Sequence, residues 1–389
     1  MALGTPFLQK ERSVRIEPLL PPSEFVGLDG ITHLCTGGES PWLKAQEEVY
    51  AEFARHKSAG YAGRAEVYAR GERCRERMGQ LWGVLPERVA LMPSAAEGMS
   101  YLARGLDWRT GDNVVTTNLE FPSVAYAWRL LRRQGVEVRM VPHRDWIVSE
   151  EDLLSAVDER TRVLAVSHVS FYTGQCLDLA RLADGLRGKG ALLAVDATHA
   201  SGVVRVPAAL TDLTVSSSYK WMLATHGVAP CYLSARAEAQ TEATCFGWHN
   251  LDIWPKQGAE RTPDADVKPM PQRLEPGNPS MVSVMFLDRA LEVLLRIGME
   301  RIENHARDLS EQVSAGLERM GRTVISPEFR AGRSGNTCFL ADDARGVQDR
   351  LAERKVLCWG EYGRVRISTH LYNGTEDVER FLKELAEIA

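Results

Sequence analysis

The chain has 389 residues, of which 44% are hydrophobic and 25% charged, and a formal net charge of −5. That length allows two or three domains with a large buried core, and the weak negative charge leaves no basic footprint for nucleic acid. No apolar run is long enough to span a bilayer, the N-terminal stretch through Pro22 lacks an apolar signal-peptide core, and the seven cysteines form no CxxC pair. A cytoplasmic protein with reduced, buried thiols and no metal site is therefore expected.

Residues 1–40 read as an irregular arm carrying Pro21-Pro22 and Gly37-Gly38. A helical stretch rich in Ala, Glu and Arg follows over 41–81. Short apolar runs then predict strands at 89–92, 113–117, 137–141, 163–166, 192–195, 213–215 and 228–233. Between them, Met99, Leu102, Ala103 and Leu106 share one face at helical spacing, as do Val124, Trp128 and Leu131. Strands alternating with helices imply crossover units, hence a mostly parallel seven-stranded sheet covered on both faces. Residues 248–275, with Pro255, Pro263, Pro269 and Pro271, read as a long loop of the kind that often carries function. A long helical pattern runs from Ser280 past Gly298. The remainder reads as a smaller α/β unit with strands near 323–325, 337–340 and 365–367. A last helix over 376–388 is expected to bury Val378, Leu382 and Leu385.

In open α/β sheets ligands bind beyond the carboxyl ends of the strands. That rule singles out Ser94, Phe121, His168, Asp196 and Lys220. Asp196 ends a buried apolar run, where a carboxylate needs a partner; a cation (an Arg, a Lys or a protonated ring nitrogen) and a helix N-cap are both open. Lys220 follows Ser216-Ser217-Ser218-Tyr219 and precedes Trp221-Met222-Leu223. A lysine desolvated there becomes a usable amine nucleophile, although most lysines are surface groups. The turn Pro93-Ser94-Ala95-Ala96-Glu97-Gly98 leads from strand to helix, and the free amides of a helix start bind phosphate. The same small residues also serve an ordinary turn. His168 reads better as a hydrogen-bonded structural residue than as a substrate contact, and Glu97 as a partner of the helix dipole. Trp248 and His249 open the Pro-rich loop, and burial is the plainer expectation for them than a place at a substrate entrance. The absence of G-x-G-x-x-G and G-x-x-x-x-G-K-[ST] after the early strands argues against a dinucleotide or nucleotide site.

Six motifs stand in a familiar order: Asn118-Leu119-Glu120-Phe121-Pro122-Ser123, Ser167-His168-Val169-Ser170, Asp196-Ala197-Thr198-His199, Ser217-Ser218-Tyr219-Lys220, Arg273 to Pro279, and Arg366-Ile367-Ser368 followed by Tyr372-Asn373. Together they resemble the class V aminotransferase and cysteine desulfurase group of fold-type-I enzymes dependent on pyridoxal 5′-phosphate (PLP), across nearly the whole chain. The resemblance implies an N-terminal arm (1–40) belonging to the small domain, a large PLP-binding domain (41–280), and a linking helix with a small C-terminal α/β domain (281–389). It implies that Lys220 holds PLP as a Schiff base and that Asp196 pairs with the ring nitrogen, keeping the cofactor an electron sink. By the same resemblance Phe121 stacks on the ring and His199 reaches its hydroxyl. Ser94, Ala95, Ala96, Ser217 and Tyr219 hold the phosphate, Asn278 reaches the site of a neighbouring subunit in a homodimer, and Arg366 clamps the carboxylate of an amino acid substrate.

Three departures narrow the reaction. The segment Lys355 to Gly363 is shorter than the desulfurase loop that carries a nucleophilic cysteine, and Cys358 reads as a core thiol. Phe121 stands where desulfurases have His, so proton transfer at Cα falls to Lys220. Ala95-Ala96 stand where hydroxyls are common, so phosphate binding leans on amides. The expectation is Cα chemistry on an amino acid after its amine displaces Lys220, foremost of the aminotransferase type. Epimerisation in the manner of isopenicillin N epimerase and C–S or Cβ elimination are the alternatives, with a non-catalytic PLP-fold binding protein behind them.

Overall fold

The computed structural model describes residues 15–253, 260 and 264–388. Its strands are β1 (Thr32–His33), β2 (Val89–Met92), β3 (Asn113–Thr117), β4 (Glu137–Val141), β5 (Thr161–Ser167) and β6 (Leu192–Asp196). They continue with β7 (Leu213–Val215), β8 (Ala229–Leu233), β9 (Asn336–Leu340), β10 (Val356–Leu357), β11 (Trp359–Glu361) and β12 (Arg364–Ser368). Seven form one sheet in the order β2-β8-β7-β6-β5-β3-β4. Only β8 runs antiparallel to its neighbours. The mostly parallel arrangement suits its inner strands, which are buried on both faces, while edge strand β4 carries Glu137 and Arg139 and is largely exposed. Side chains alternate along them: Val163 and Ala165 pack with Met99 and Leu102 on one face, while Leu164 and Val166 pack with Leu153 and Leu182 on the other.

Several expected elements differ in backbone. The stretch over 41–81 is two helices, Glu47–Ser58 and Gly60–Trp82, because Gly60 adopts a φ of +61°, which ends the right-handed run. The long pattern after Ser280 is likewise split into Met281–Ile297 and Met299–Arg319 by Gly298 at φ +94°. Val124, Trp128 and Leu131 are all buried as expected, yet they sit on a single turn, Pro122–Ala125, and a 3-10 segment, Arg129–Gln134. Residues 323–325 make one bridge, Val324 to Phe339, and no strand. In the last helix, Thr375–Glu387, Phe381 is buried beside Val378 and Leu385, while Leu382 is only half-buried.

The C-terminal part forms a three-stranded antiparallel sheet, β11-β12-β9, over a core that includes Leu309, Phe339, Ile367 and Phe381. The N-terminal arm joins it. Strand β1 pairs in parallel with β10, and Asn373 donates its amide to His33 O at 3.1 Å. Tyr372 Oη lies 2.8 Å from His33 Nδ1 and 2.5 Å from Thr36 Oγ1. The Tyr372-Asn373 pair therefore ties the arm down and lays Gly37-Gly38 against β12. Among the described residues no helix is long and apolar enough to cross a membrane.

Candidate active site

Beyond the carboxyl ends of β2, β5, β6 and β7 lies a cavity of about 190 Å³. Its walls bring together Ser94, Ala95, Ala96, Phe121, Asp196, His199, Ser217, Tyr219 and Lys220, which come from widely spaced parts of the chain. At one end the helix Ala95–Gly105 points its first turn into the cavity. Ser94 caps it, its Oγ accepting from Glu97 N at 3.3 Å, so this hydroxyl serves the helix as well as the wall. Gly98 lets the helix lie directly on the sheet: a Cβ there would fall 2.8 Å from Val215 Cγ2. The Arg273-Leu274-Glu275 motif braces this end. Arg273 Nε donates to Tyr101 Oη at 3.0 Å, and Glu275 accepts from Leu91 N at 2.6 Å while Arg75 grips it bidentately at 2.8 and 2.9 Å.

Asp196 is buried at the end of β6, its Oδ1 accepting from Thr198 N at 2.8 Å. Burial raises its pKa, against the opposing pull of the Thr198 bonds and the Lys220 charge. Both sequence readings hold at once, since the carboxylate orders the next turn and still faces the cavity. Lys220 is 7% exposed, because Trp221, Met222 and Leu223 behind it are fully buried and anchor its backbone. Its Nζ lies 3.2 Å from His199 Nε2, 5.4 Å from the Phe121 ring centre and 5.6 Å from that of Tyr219. Burial, and then the Arg366 charge, lower its pKa to about 8, with Asp196 and Glu39 opposing. A surface lysine has neither property, so the amine is available near neutral pH.

Arg366 on β12 borders this group without lining the cavity. Its Nη1 donates to Phe171 O at 3.0 Å and its guanidinium lies 4.8 Å from the Trp359 ring centre. Its Nε is buried without a hydrogen-bond partner among the described residues, under Gly37, where a Cβ would stand 3.1 Å away. Burial pulls its pKa down to about 10. A buried guanidinium with an open donor is a site for an anion. Asn278 is not brought to the cavity of its own chain; it is exposed and accepts from Tyr68 Oη at 2.8 Å.

Other residues fall outside the site. Ser167 and Val169 line the cavity and His168, by alternation, points away; its Nε2 lies 3.5 Å from Cys176 Sγ, and burial lowers its pKa to about 4. Cys358 is 5% exposed in the small core, where burial raises its pKa strongly. His249 Nδ1 meets Glu275 O at 3.0 Å, and Trp248 is 45% exposed. Pro255 and Pro263 of the expected loop lie outside the described residues.

Several site residues have no signal in the sequence. Phe171 stands edge-on to Phe121, ring centres 5.2 Å apart. Glu120 is half-buried and accepts from Ser167 N at 2.7 Å and Oγ at 2.5 Å; desolvation of its carboxyl pushes its pKa up to about 7. Asn336 reaches in from β9 to His199 Nδ1 at 3.1 Å. Glu120 and Ser167 stand inside two of the six motifs, which is the one hint that was available. Phe171 and Asn336 carry none.

The parts fit PLP: a helix start for phosphate, a buried carboxylate for a ring cation, a desolvated amine, and an orphaned guanidinium donor beside it. Such a site on a mostly parallel sheet, with a smaller α/β unit closing over it, defines a fold-type-I PLP-dependent enzyme. Residues 41–381 match the model of the aminotransferase class-V family, and the chain belongs to that family. It is similar to a probable cysteine desulfurase of Methanothermobacter thermautotrophicus, 26% identical with 98% of this chain and 99% of that protein covered. It is also similar to isopenicillin N epimerase of Streptomyces clavuligerus, 25% identical over 91% and 94% of the two chains. A solved structure of a cysteine desulfurase from Thermococcus onnurineus superposes with a TM-score of 0.86, at 20% identity over 94% of this chain and 96% of that one.

Proposed function

We propose that this enzyme carries out Cα proton-transfer chemistry of the aminotransferase type on a small amino acid, with Lys220 as the proton carrier. One observation carries the reading: among the described residues Lys220 is the one amine lining the cavity, its pKa is lowered to about 8, and no cysteine lines the cavity. PLP, when bound, supplies an electron sink for charge developing at the substrate Cα. The helix start at Ser94-Ala95-Ala96, with Ser217 and Tyr219, binds its phosphate. Asp196 holds a proton on the ring nitrogen, Phe121 walls the ring and excludes water, and His199 donates to the ring oxygen. Arg366 takes the substrate carboxylate in its fork. Lys220, freed by the incoming amine, removes and returns protons near Cα. Persulfide chemistry needs an accessible thiol, and Cys358 is buried. Asn278 serves the site of a second copy in a homodimer. The exposure of Tyr61, Phe246 and Trp248 on this surface, at 88%, 63% and 45%, supports that interface.

The test is to load purified protein with PLP and supply amino acids with a keto-acid acceptor. Keto-acid production that disappears in Lys220→Ala, together with the visible cofactor band, is expected. Enantiomer exchange without keto acid, or sulfide release that depends on Cys358, would refute the reading.

A further inference from the structure

His199 is buried in the cavity wall, with Nε2 directed at Lys220 Nζ and Nδ1 directed away from the cavity. Two groups meet Nδ1: Trp221 Nε1 at 3.4 Å and the Asn336 amide at 3.1 Å. An amide beside an imidazole is ambiguous, because flipping it exchanges donor for acceptor and changes the tautomer that fits. The indole removes the ambiguity. Its N–H can only donate, so Nδ1 presents a lone pair, and Asn336 must turn its NH2 toward the ring. Its Oδ1 then faces Ser368 Oγ, which donates at 2.8 Å. Gly37 closes over this amide, and a Cβ there would fall 2.9 Å from Oδ1 and 2.8 Å from Ser368 Oγ. Asn336 is 1% exposed and cannot turn away to water.

The charges nearby act in one direction. Burial first, and then the charges of Lys220 when protonated, Arg366 and Arg364, keep the ring neutral; as a neutral amine, Lys220 Nζ at 3.2 Å can accept from Nε2. A neutral ring with a bare Nδ1 carries its proton on Nε2, on the cavity side.

We propose that Asn336 is a positioning residue that holds His199 as the neutral Nε2–H form, so that the ring offers a donor, never an acceptor, to the anionic ring oxygen of the cofactor. The inference rests on the cofactor reading above. It gives the β9 strand of the small unit, next to β12 with Arg366, a part in the proton inventory of the site.

Nitrogen-15 spectroscopy of histidine-labelled protein tests this, with His199→Asn assigning the resonances by their loss. In wild type with PLP, and without it above about pH 8, where Lys220 is a neutral amine able to accept, Nε2 is expected to be protonated and Nδ1 bare. In Asn336→Asp a carboxylate takes the place of the amide at 3.1 Å and outweighs the longer 3.4 Å indole contact, so Nδ1 is expected to gain a proton. A protonated Nδ1 in wild type, or a bare Nδ1 in a folded Asn336→Asp variant, overturns the proposal. The wild-type measurement stands even if the variant does not fold. The cofactor-free spectra are independent of PLP, so a protein that never binds PLP would refute the cofactor role while leaving the proton assignment to be judged on its own.

Discussion

Replacing Arg366 by Ala separates substrate binding from cofactor binding and from folding. The guanidinium is 3% exposed, with one open donor and a single hydrogen bond to Phe171 O. Its pKa falls from 12.5 to about 10; at ~1.4 kcal/mol per pKa unit, keeping it charged costs about 3 kcal/mol. An incoming carboxylate offsets that cost and adds charge-assisted bonds. Truncating one partner of such a desolvated pair costs about 2–5 kcal/mol, so Arg366→Ala is expected to lower kcat/KM by roughly 10²-fold. The effect on the fold is different. Removing an unpaired buried cation is favourable, and it offsets the lost bond to Phe171, worth about 1.5–3 kcal/mol for a charged donor. Melting temperature and PLP affinity should therefore move little. Steady-state kinetics, cofactor titration and thermal melting on the same preparation measure all three. Unchanged kcat/KM, or PLP affinity falling in step with substrate affinity, would refute the assignment. Arg366→Lys should not restore activity, because a point charge lacks the planar fork.

The pKa of about 8 at Lys220 sets a pH dependence. The amine captures PLP only when deprotonated, so the rate of reconstitution of cofactor-free protein should rise with pH and level off above about 8; a rate still climbing toward the ordinary lysine value near 10.5 would show that the amine is not desolvated. Gly98→Ala probes the close approach of the helix Ala95–Gly105 to the sheet: overpacking against Val215 costs about 1–3 kcal/mol, partly offset by a helix-propensity gain of about 1 kcal/mol. A lower melting temperature and weaker PLP binding are expected, and PLP affinity equal to wild type would show that the helix start is not held by that contact.

The strands were legible because the physics behind them is local. A parallel strand buried on both faces favours an apolar run, and β6 stands where Leu192-Leu193-Ala194-Val195 stands. Helix continuity was less legible. Periodicity reports which side of a segment is buried, and Val124, Trp128 and Leu131 are buried whether the backbone is α-helical or not. Breaks at Gly60 and Gly298 depend on a φ that glycine permits but does not require.

Asp196, Ser94 and Lys220 could be placed because each follows a strand end, and strand ends in such sheets share one edge. The chain order of these residues was therefore enough to assemble the amine, the carboxylate and the phosphate turn. The sequence by itself could not supply what acts on them. Lys220 is an unremarkable lysine until burial and Arg366 lower its pKa, and His199 has two tautomers until Trp221 and Asn336 choose one. Those choices come from segments that meet only when the small unit folds against the large sheet, as Asn336 meets His199 and Gly37 covers Arg366. Desolvation and hydrogen-bond direction depend on distances of a few ångströms between such segments, and tertiary packing alone decides them.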